Sequence, residues 1–251
     1  MPTLDGTHAI VVGASRGLGR GVALSLSAAG ASVLAIARSQ AGLDELRAAD
    51  PTIEVLAGDA TDPDLAADAL ARHDPAVVAV VAGASPPLDP IHHQTWDTFS
   101  LNWQVDARLS FNWLQASLRR PLHPGSRVLL MSSGAAVAGS PLSGGYAGAK
   151  ATIRFMAAYA DEEARRDGLG IRVMSVLPKL TPATELGLAA VRAYAQRAGI
   201  SEAQYAARFG APVTPEIAGA AFVELAAADL SDDVAYLLTG DAGLAPLSAR
   251  G

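Results

Sequence analysis

Six short apolar runs recur along this chain, and each is followed by a longer segment of helical character. The runs are HAIVVG (8–13), SVLAIA (32–37), IEVLAG (53–58), AVVAVVAG (76–83), SRVLLMSS (126–133) and IRVMSVLP (171–178). They are β-branched, apolar almost without a break, and bounded by Gly, Pro or charged residues. An unbroken apolar strand has both faces covered, as in a parallel sheet packed between two layers of helices. The segments near 17–30, 40–49, 63–73, 95–119, 144–168 and 185–209 supply the helices. A further helix near 215–228 leads to a seventh strand, VAYLLTG (234–240). The alternation predicts an α/β fold, a doubly wound parallel β-sheet of about seven strands with helices on both faces. No Ser/Gly linker or internal repeat divides the chain, so residues 1–251 read as a single domain.

Composition excludes several functions. Half the residues are hydrophobic and 18% are charged, which suits a packed core and not a disordered chain. A net charge of -6 with no basic run argues against nucleic acid as a partner. There is no cysteine, so disulfides, thiol nucleophiles and Cys-ligated metals are ruled out. The start, MPTLDGTHAI, lacks the basic and apolar regions of a secretory signal. The uncharged stretch from Val128 to Ala149 is long enough to span a bilayer, but its Ser, Gly and Pro suit a buried strand and a loop. A cytoplasmic protein without a membrane partner is expected.

The first strand runs into GASRGLG (13–19). Gly13 permits a sharp turn, and Gly17 and Gly19 let the backbone approach a pyrophosphate and the next helix pack on the sheet. The pyrophosphate would sit at the N-terminus of the helix starting near Gly17, where free N–H groups and the helix dipole favour an anion. The spacing is Gly-x-x-x-Gly-x-Gly, not the Gly-x-Gly-x-x-Gly of most Rossmann-like folds.

A second motif stands in SGGYAGAK (143–150). Only two of the nineteen basic residues are lysines, and Lys150 is one of them. A guanidinium keeps its proton, whereas an ammonium is a compact point charge that can join a proton relay. Tyr146 and Lys150 are spaced i, i+4 on a helix, so both project from one face.

Together these residues resemble the short-chain dehydrogenase/reductases. The resemblance rests on the glycine spacing of 13–19, on Ala82 and Gly83 closing the fourth strand, and on Ser133, Tyr146 and Lys150 in their relative spacing. It covers nearly the whole chain. A phenol is a poor base at neutral pH, and a nearby ammonium stabilises its phenolate. Tyr146 can then give a proton to a carbonyl oxygen or accept one from an alcohol. Ser133 would hydrogen-bond the same oxygen, and the resemblance implies that Lys150 also grips the nicotinamide ribose. Ser132, on the other side of the strand, reads as structural.

Cofactor choice follows from the end of the second strand. A carboxylate there would hold a ribose 2′-hydroxyl; this chain has Arg38 and Ser39 instead. Arg16 and Ser15, inside the glycine turn beside Leu18, add a cation and a hydroxyl. Two arginines and no carboxylate suit a 2′-phosphate, so NADP(H) is the expected cofactor. The resemblance places Asp59 and Ala60 at the adenine and Pro178, Thr181 and Thr184 near the nicotinamide or pyrophosphate. Asp59 could equally cap the helix near 63.

The chain also departs from the family. Asp106 stands where the family has an asparagine that helps hold a water relaying protons to the lysine. Asn102, one turn earlier, could substitute or simply pack. If Asp106 faces the relay, its charge opposes the phenolate and favours reduction; otherwise it turns away to pair with Arg108 or another cation. Lys179 replaces the glycine after Pro178 and could meet an anionic substrate or remain a solvated loop charge. The usual Asp-Gly-Gly near the C-terminus is missing from LLTGDAGLAPL. His92 and His93, as adjacent residues, should point apart and have no third ligand, so no metal site is expected. Residues 185–212, with Leu186, Tyr194, Tyr205 and Phe209, form a candidate lid over a largely apolar substrate.

The expected function is an NADPH-dependent carbonyl reductase, reversible as an alcohol dehydrogenase, acting on a small ketone or aldehyde. A dinucleotide-binding regulator without turnover, and a dehydration or isomerisation using the same tyrosine, are the alternatives. The resemblance also implies a homodimer or homotetramer through the helices near 95–119 and 144–168.

Overall fold

The computed structural model describes residues 3–120, 122–228 and 232–247. Seven parallel strands lie where the apolar runs predict them: β1 (His8–Val12), β2 (Ser32–Ala37), β3 (Glu54–Ala57), β4 (Val77–Val80), β5 (Arg127–Met131), β6 (Arg172–Pro178) and β7 (Ala235–Thr239). An eighth, β8 (Gly243–Pro246), pairs antiparallel with β7, so the sheet has one strand more than expected. Its sequence, GLAP, has no apolar run; only the short turn after β7 brings it back against that strand. Pro246, lacking an N–H, is tolerated because β8 is an edge strand.

The strand order is β3-β2-β1-β4-β5-β6-β7-β8. The chain reverses direction across the sheet between β1 and β4, which opens a crevice at their carboxyl ends. Successive residues of β1 point to opposite layers. Val11 joins Val22 and Leu26 of α1 (Gly17–Ala28) and Phe222 of α10 (Pro215–Ala227). Ile10 and Val12 join Leu70 of α3 (Pro63–His73), Trp113 of α5 (Arg108–Arg119) and Ile153 of α7 (Gly144–Arg166). Helix α2 (Gln40–Ala49) covers the first layer through Leu43 and Leu46. Both faces are dry, as the continuous apolar runs require.

Two expected helices are interrupted. The segment 95–119 divides into α4 (Trp96–Asn102), a π-helical turn (Trp103–Ala107) and α5. The segment 185–209 divides into α8 (Glu185–Ala198), α9 (Glu202–Ala206) and a 3₁₀ turn (Ala207–Phe209). The second break is chemical. Gly199 ends α8 with φ +65°, and Ser201 with Gln204 forms a capping box that starts α9. A single turn, α6 (Ala135–Ala138), follows β5 where a loop was expected.

One buried ion pair ties the far end of α7 to the sheet. Asp161 (2% exposed) accepts 2.8 Å bonds from the Arg172 and Arg165 guanidinium groups, and a 2.9 Å bond from the Val173 amide. Among the described residues, no helix is long and apolar enough to cross a membrane.

Candidate active site

The glycine turn lies at the crevice between β1 and β4. A Cβ on Gly13 would stand 2.5 Å from the Ala82 amide nitrogen, and one on Gly19 would stand 2.1 Å from the Gly13 carbonyl oxygen. Only glycine permits both approaches. The first turn of α1 has Arg16 at its N-cap with no side-chain cap bond, leaving its leading N–H groups open to an anion. These residues therefore fit a dinucleotide pyrophosphate. Leu18 packs against the apolar core, so only its backbone faces the turn.

Around this cradle the sequence-predicted residues are placed unequally. Ser15 packs against Gly42 on α2. Ser39 spends its hydroxyl on capping α2 through the Gly42 amide, at 3.2 Å. Arg38 is exposed and forms no ion pair among the described residues. Asp59 does not cap α3; Asp62 does, accepting from the Asp64 amide. Instead, Asp59 accepts 2.9 Å bonds from the Thr61 amide and hydroxyl. Those bonds, aided by the charges of Arg38 and Arg108, hold its carboxyl below the usual carboxylate range. The Ala60 carbonyl accepts from the Trp113 indole at 3.3 Å.

Arg16 is not a free surface cation. It pairs with Glu185, the first residue of α8. Beside it, the Thr184 methyl lies 3.5 Å from where a Gly17 Cβ would stand. The Thr184 hydroxyl caps α8 through the Gly187 amide and donates to the Thr181 carbonyl. Of the two threonines singled out, Thr184 is thus the one placed against the glycine turn.

Tyr146 and Lys150 project from the first two turns of α7. The ammonium of Lys150, 4% exposed, lies 5.6 Å from the Tyr146 ring centroid. It donates to the Met131 carbonyl at 3.1 Å and lies 3.2 Å from Asp106 Oδ2. Burial pulls its pKa down, but the Asp106 carboxylate and the Tyr146 oxygen outweigh that and hold it above the ordinary lysine range. Ser132 is structural, as expected, donating to the Lys150 carbonyl at 2.7 Å. Ser133 is half-buried at the end of β5, and its hydroxyl accepts from the Ala135 amide at 3.2 Å to begin α6.

Asp106 is wholly buried on the π-turn, a distortion common at functional sites. The alternative that it turns away to pair with Arg108 or another surface cation fails, since its Oδ2 is buried 3.2 Å from the Lys150 ammonium. Asp106 Oδ1 accepts from the Ala84 amide at 2.8 Å and the Asn102 amide group at 3.3 Å. Asn102 also donates to the Ala84 carbonyl at 2.8 Å, so it orients the carboxylate instead of replacing it. Oδ2 lies against Gly83 and, among the described residues, has no donor but Lys150.

Toward the mouth, Gly134 donates to the Pro178 carbonyl at 2.9 Å, and exposed Lys179 lies beside Gly134. Helix α8 is anchored here by Tyr194, whose hydroxyl bonds Ser140 and accepts from the Leu142 amide at 2.9 Å. Tyr194 stacks on Tyr205 at 5.8 Å between centroids, and Phe209 meets Tyr205 tilted at 5.3 Å. Nothing in the local sequence signals these bonds or the Arg16–Glu185 pair. His92 and His93 do not point apart: the 3₁₀ turn (Ile91–His93) brings their rings into edge contact at 4.2 Å. No group of three metal-ligating side chains exists among the described residues.

The doubly wound sheet with its glycine turn and open α1 N-terminus is the architecture of a dinucleotide-binding oxidoreductase fold. The family model for short chain dehydrogenases matches residues 7–193, and the chain belongs to that family. It is 36% identical over 105 residues to L-xylulose reductase of Mesocricetus auratus, covering 42% of this chain and 43% of the relative. It is 32% identical over 120 residues to D-erythrulose reductase of Gallus gallus, covering 48% and 49%. Each match thus spans about half the length of the relative. Among solved structures, a short chain dehydrogenase from Mycobacterium avium shares the fold, with TM-score 0.76, 23% identity, and coverage of 99% of this chain and 88% of that one. A candidate NAD(P)-dependent gluconate 5-dehydrogenase from Beutenbergia cavernae, with bound NADP at low occupancy, aligns with TM-score 0.75 and 26% identity over 90% and 91%.

Proposed function

We propose that this protein is an NADP(H)-dependent carbonyl reductase, reversible as an alcohol dehydrogenase, for a small ketone or aldehyde. The observation that carries the reading is Lys150 buried beside Tyr146 on α7. The glycine turn with the α1 N-terminus would hold the pyrophosphate, and Arg38 a 2′-phosphate. The bound cofactor supplies the hydride. Ser133 hydrogen-bonds the carbonyl oxygen and fixes its position. Tyr146 donates its hydroxyl proton to that oxygen, and the Lys150 ammonium steadies the phenolate left behind.

The relatives' names, L-xylulose reductase and D-erythrulose reductase, favour carbonyl reduction and NADP in the Beutenbergia structure favours the phosphorylated cofactor. They also shift the substrate from the largely apolar compound suggested by the lid aromatics toward a polyhydroxy ketone. The lid aromatics stack on one another, and hydroxyls of Ser140, Ser143 and Tyr194 gather where α8 docks. Residues 185–212 act as the lid in this reading. Exposed Phe111, Phe155 and Tyr159 on α5 and α7 supply the apolar face for a homodimer.

The test is Tyr146→Phe against a panel of aldehydes, ketoses and diketones with NADPH. The variant should fold and bind NADPH as before, because the ring keeps its packing. Reduction should fall about a hundredfold or more. Full activity in that variant would place the proton donor elsewhere.

A further inference from the structure

We infer that Asp106 is a positioning residue that keeps Tyr146 a proton donor through neutral pH, by pairing with the ammonium that would otherwise favour the phenolate. The inference rests on the reductase reading only for its consequence; the charge arrangement stands on geometry.

Lys150 and Asp106 form a pair with no net charge, 3.2 Å apart and almost sealed from solvent, at 4% and 0% exposed. A buried ammonium alone would stabilise a phenolate beside it. A carboxylate 3.2 Å from that ammonium cancels part of its field, and burial around the pair leaves little water to screen either charge. The carboxylate is also held in place. Ala84 and Asn102 fix Oδ1, and the π-turn delivers Oδ2 to the lysine.

The charges facing Tyr146 from the surrounding elements are few. Helix α7 contributes Lys150, and the π-turn contributes Asp106. Strand β5 leads to Ser132 and Ser133, and β4 leads to Ala82, Gly83 and Ala84, none of them ionisable in this range. Helix α4, packed against α7, carries Asp97, which is exposed. Strand β6 leads to Lys179 beside Gly134, and α8 brings the Tyr194 hydroxyl to Ser140. Of the carboxylates named, Asp106 alone is buried.

The enzyme cannot alter the reaction's equilibrium, so Asp106 does not make reduction irreversible. It moves the pH at which the cluster changes from proton donor to proton acceptor. Because Lys150 contacts both Tyr146 and Asp106, that midpoint belongs to the cluster and not to one residue. Reduction should hold its rate into the alkaline range, and alcohol oxidation should keep rising there.

The experiment is an ultraviolet difference titration of the phenolate band, taking the protein minus its Tyr146→Phe variant, with and without Asp106→Asn. It needs no cofactor or substrate. In the unmutated protein the Tyr146 phenolate band should stay absent through neutral pH. With Asp106→Asn the midpoint should fall by about one pH unit, a tenfold change in proton affinity. The pH–rate profile for alcohol oxidation should move by the same amount. An unchanged or higher midpoint in the Asn variant overturns the inference. So does a midpoint near neutrality in the unmutated protein, which decides the matter even if Asp106→Asn fails to fold. Absence of turnover on the carbonyl panel would instead sink the reductase reading and leave the titration result standing.

Discussion

Gly19→Ala adds a single methyl group where the structure has no room for one. The new Cβ would stand 2.1 Å from the Gly13 carbonyl oxygen and 2.8 Å from its carbon. A relaxed carbon–oxygen contact needs roughly 3.3 Å, so turn and helix must part by roughly 1 Å. Helix α1 cannot easily recede. Val22, Ala23 and Leu26 are fully buried, and Gly21 lies against the Pro215 carbonyl at the start of α10. Overpacking costs about 1–3 kcal/mol, and a clash between two backbones belongs at about 3. Alanine returns about 1 kcal/mol through helix propensity. The net loss of about 2 kcal/mol should lower Tm by about 4–8 °C for a chain of this size. The displaced turn should also misalign the α1 amides, weakening NADPH binding by about tenfold, or 1.4 kcal/mol. Circular-dichroism melting and a nicotinamide fluorescence titration read the two effects separately. A variant with unaltered Tm and unaltered NADPH affinity would refute both the close-packed turn and its role as an anion cradle.

Exposed Arg38 and the lack of a carboxylate after β2 predict that NADPH binds at least about tenfold more tightly than NADH, and that Arg38→Asp reverses much of that preference. Equal dissociation constants for the two cofactors would remove the argument. Asp161→Ala leaves Arg172 without its buried carboxylate and the Val173 amide without its acceptor, so it should cost about 3–5 kcal/mol in urea unfolding. A loss below about 1 kcal/mol would show that the pair contributes little.

Much of the fold was legible because its signals are local. Each strand of β1–β7 is an apolar run, and except in the partly exposed edge strand β3, burial on both faces demands that composition. The turns that end helices are local too, yet Gly199 and the Ser201–Gln204 box were hidden inside a segment read as one helix. Strand β8 had no apolar run to announce it, since an edge strand of four residues buries little. The π-turn at Trp103–Ala107 was equally silent, because its side chains satisfy ordinary helical spacing.

The sequence by itself determined the pieces of the site that depend on neighbours along the chain. Glycines in a strand-to-helix turn dictate a close backbone approach, and a tyrosine four residues before a lysine shares its helix face whatever surrounds it. Only the tertiary structure decided which distant charges meet. Asp106 reaches Lys150, Arg16 meets Glu185, and Tyr194 docks on Ser140 because helices from separate crossovers seat against one end of the sheet. Periodicity specifies which face of a helix is buried, but not which polar residue lies opposite on another element. That choice rests on packing summed over the whole core, where no short stretch of sequence carries it.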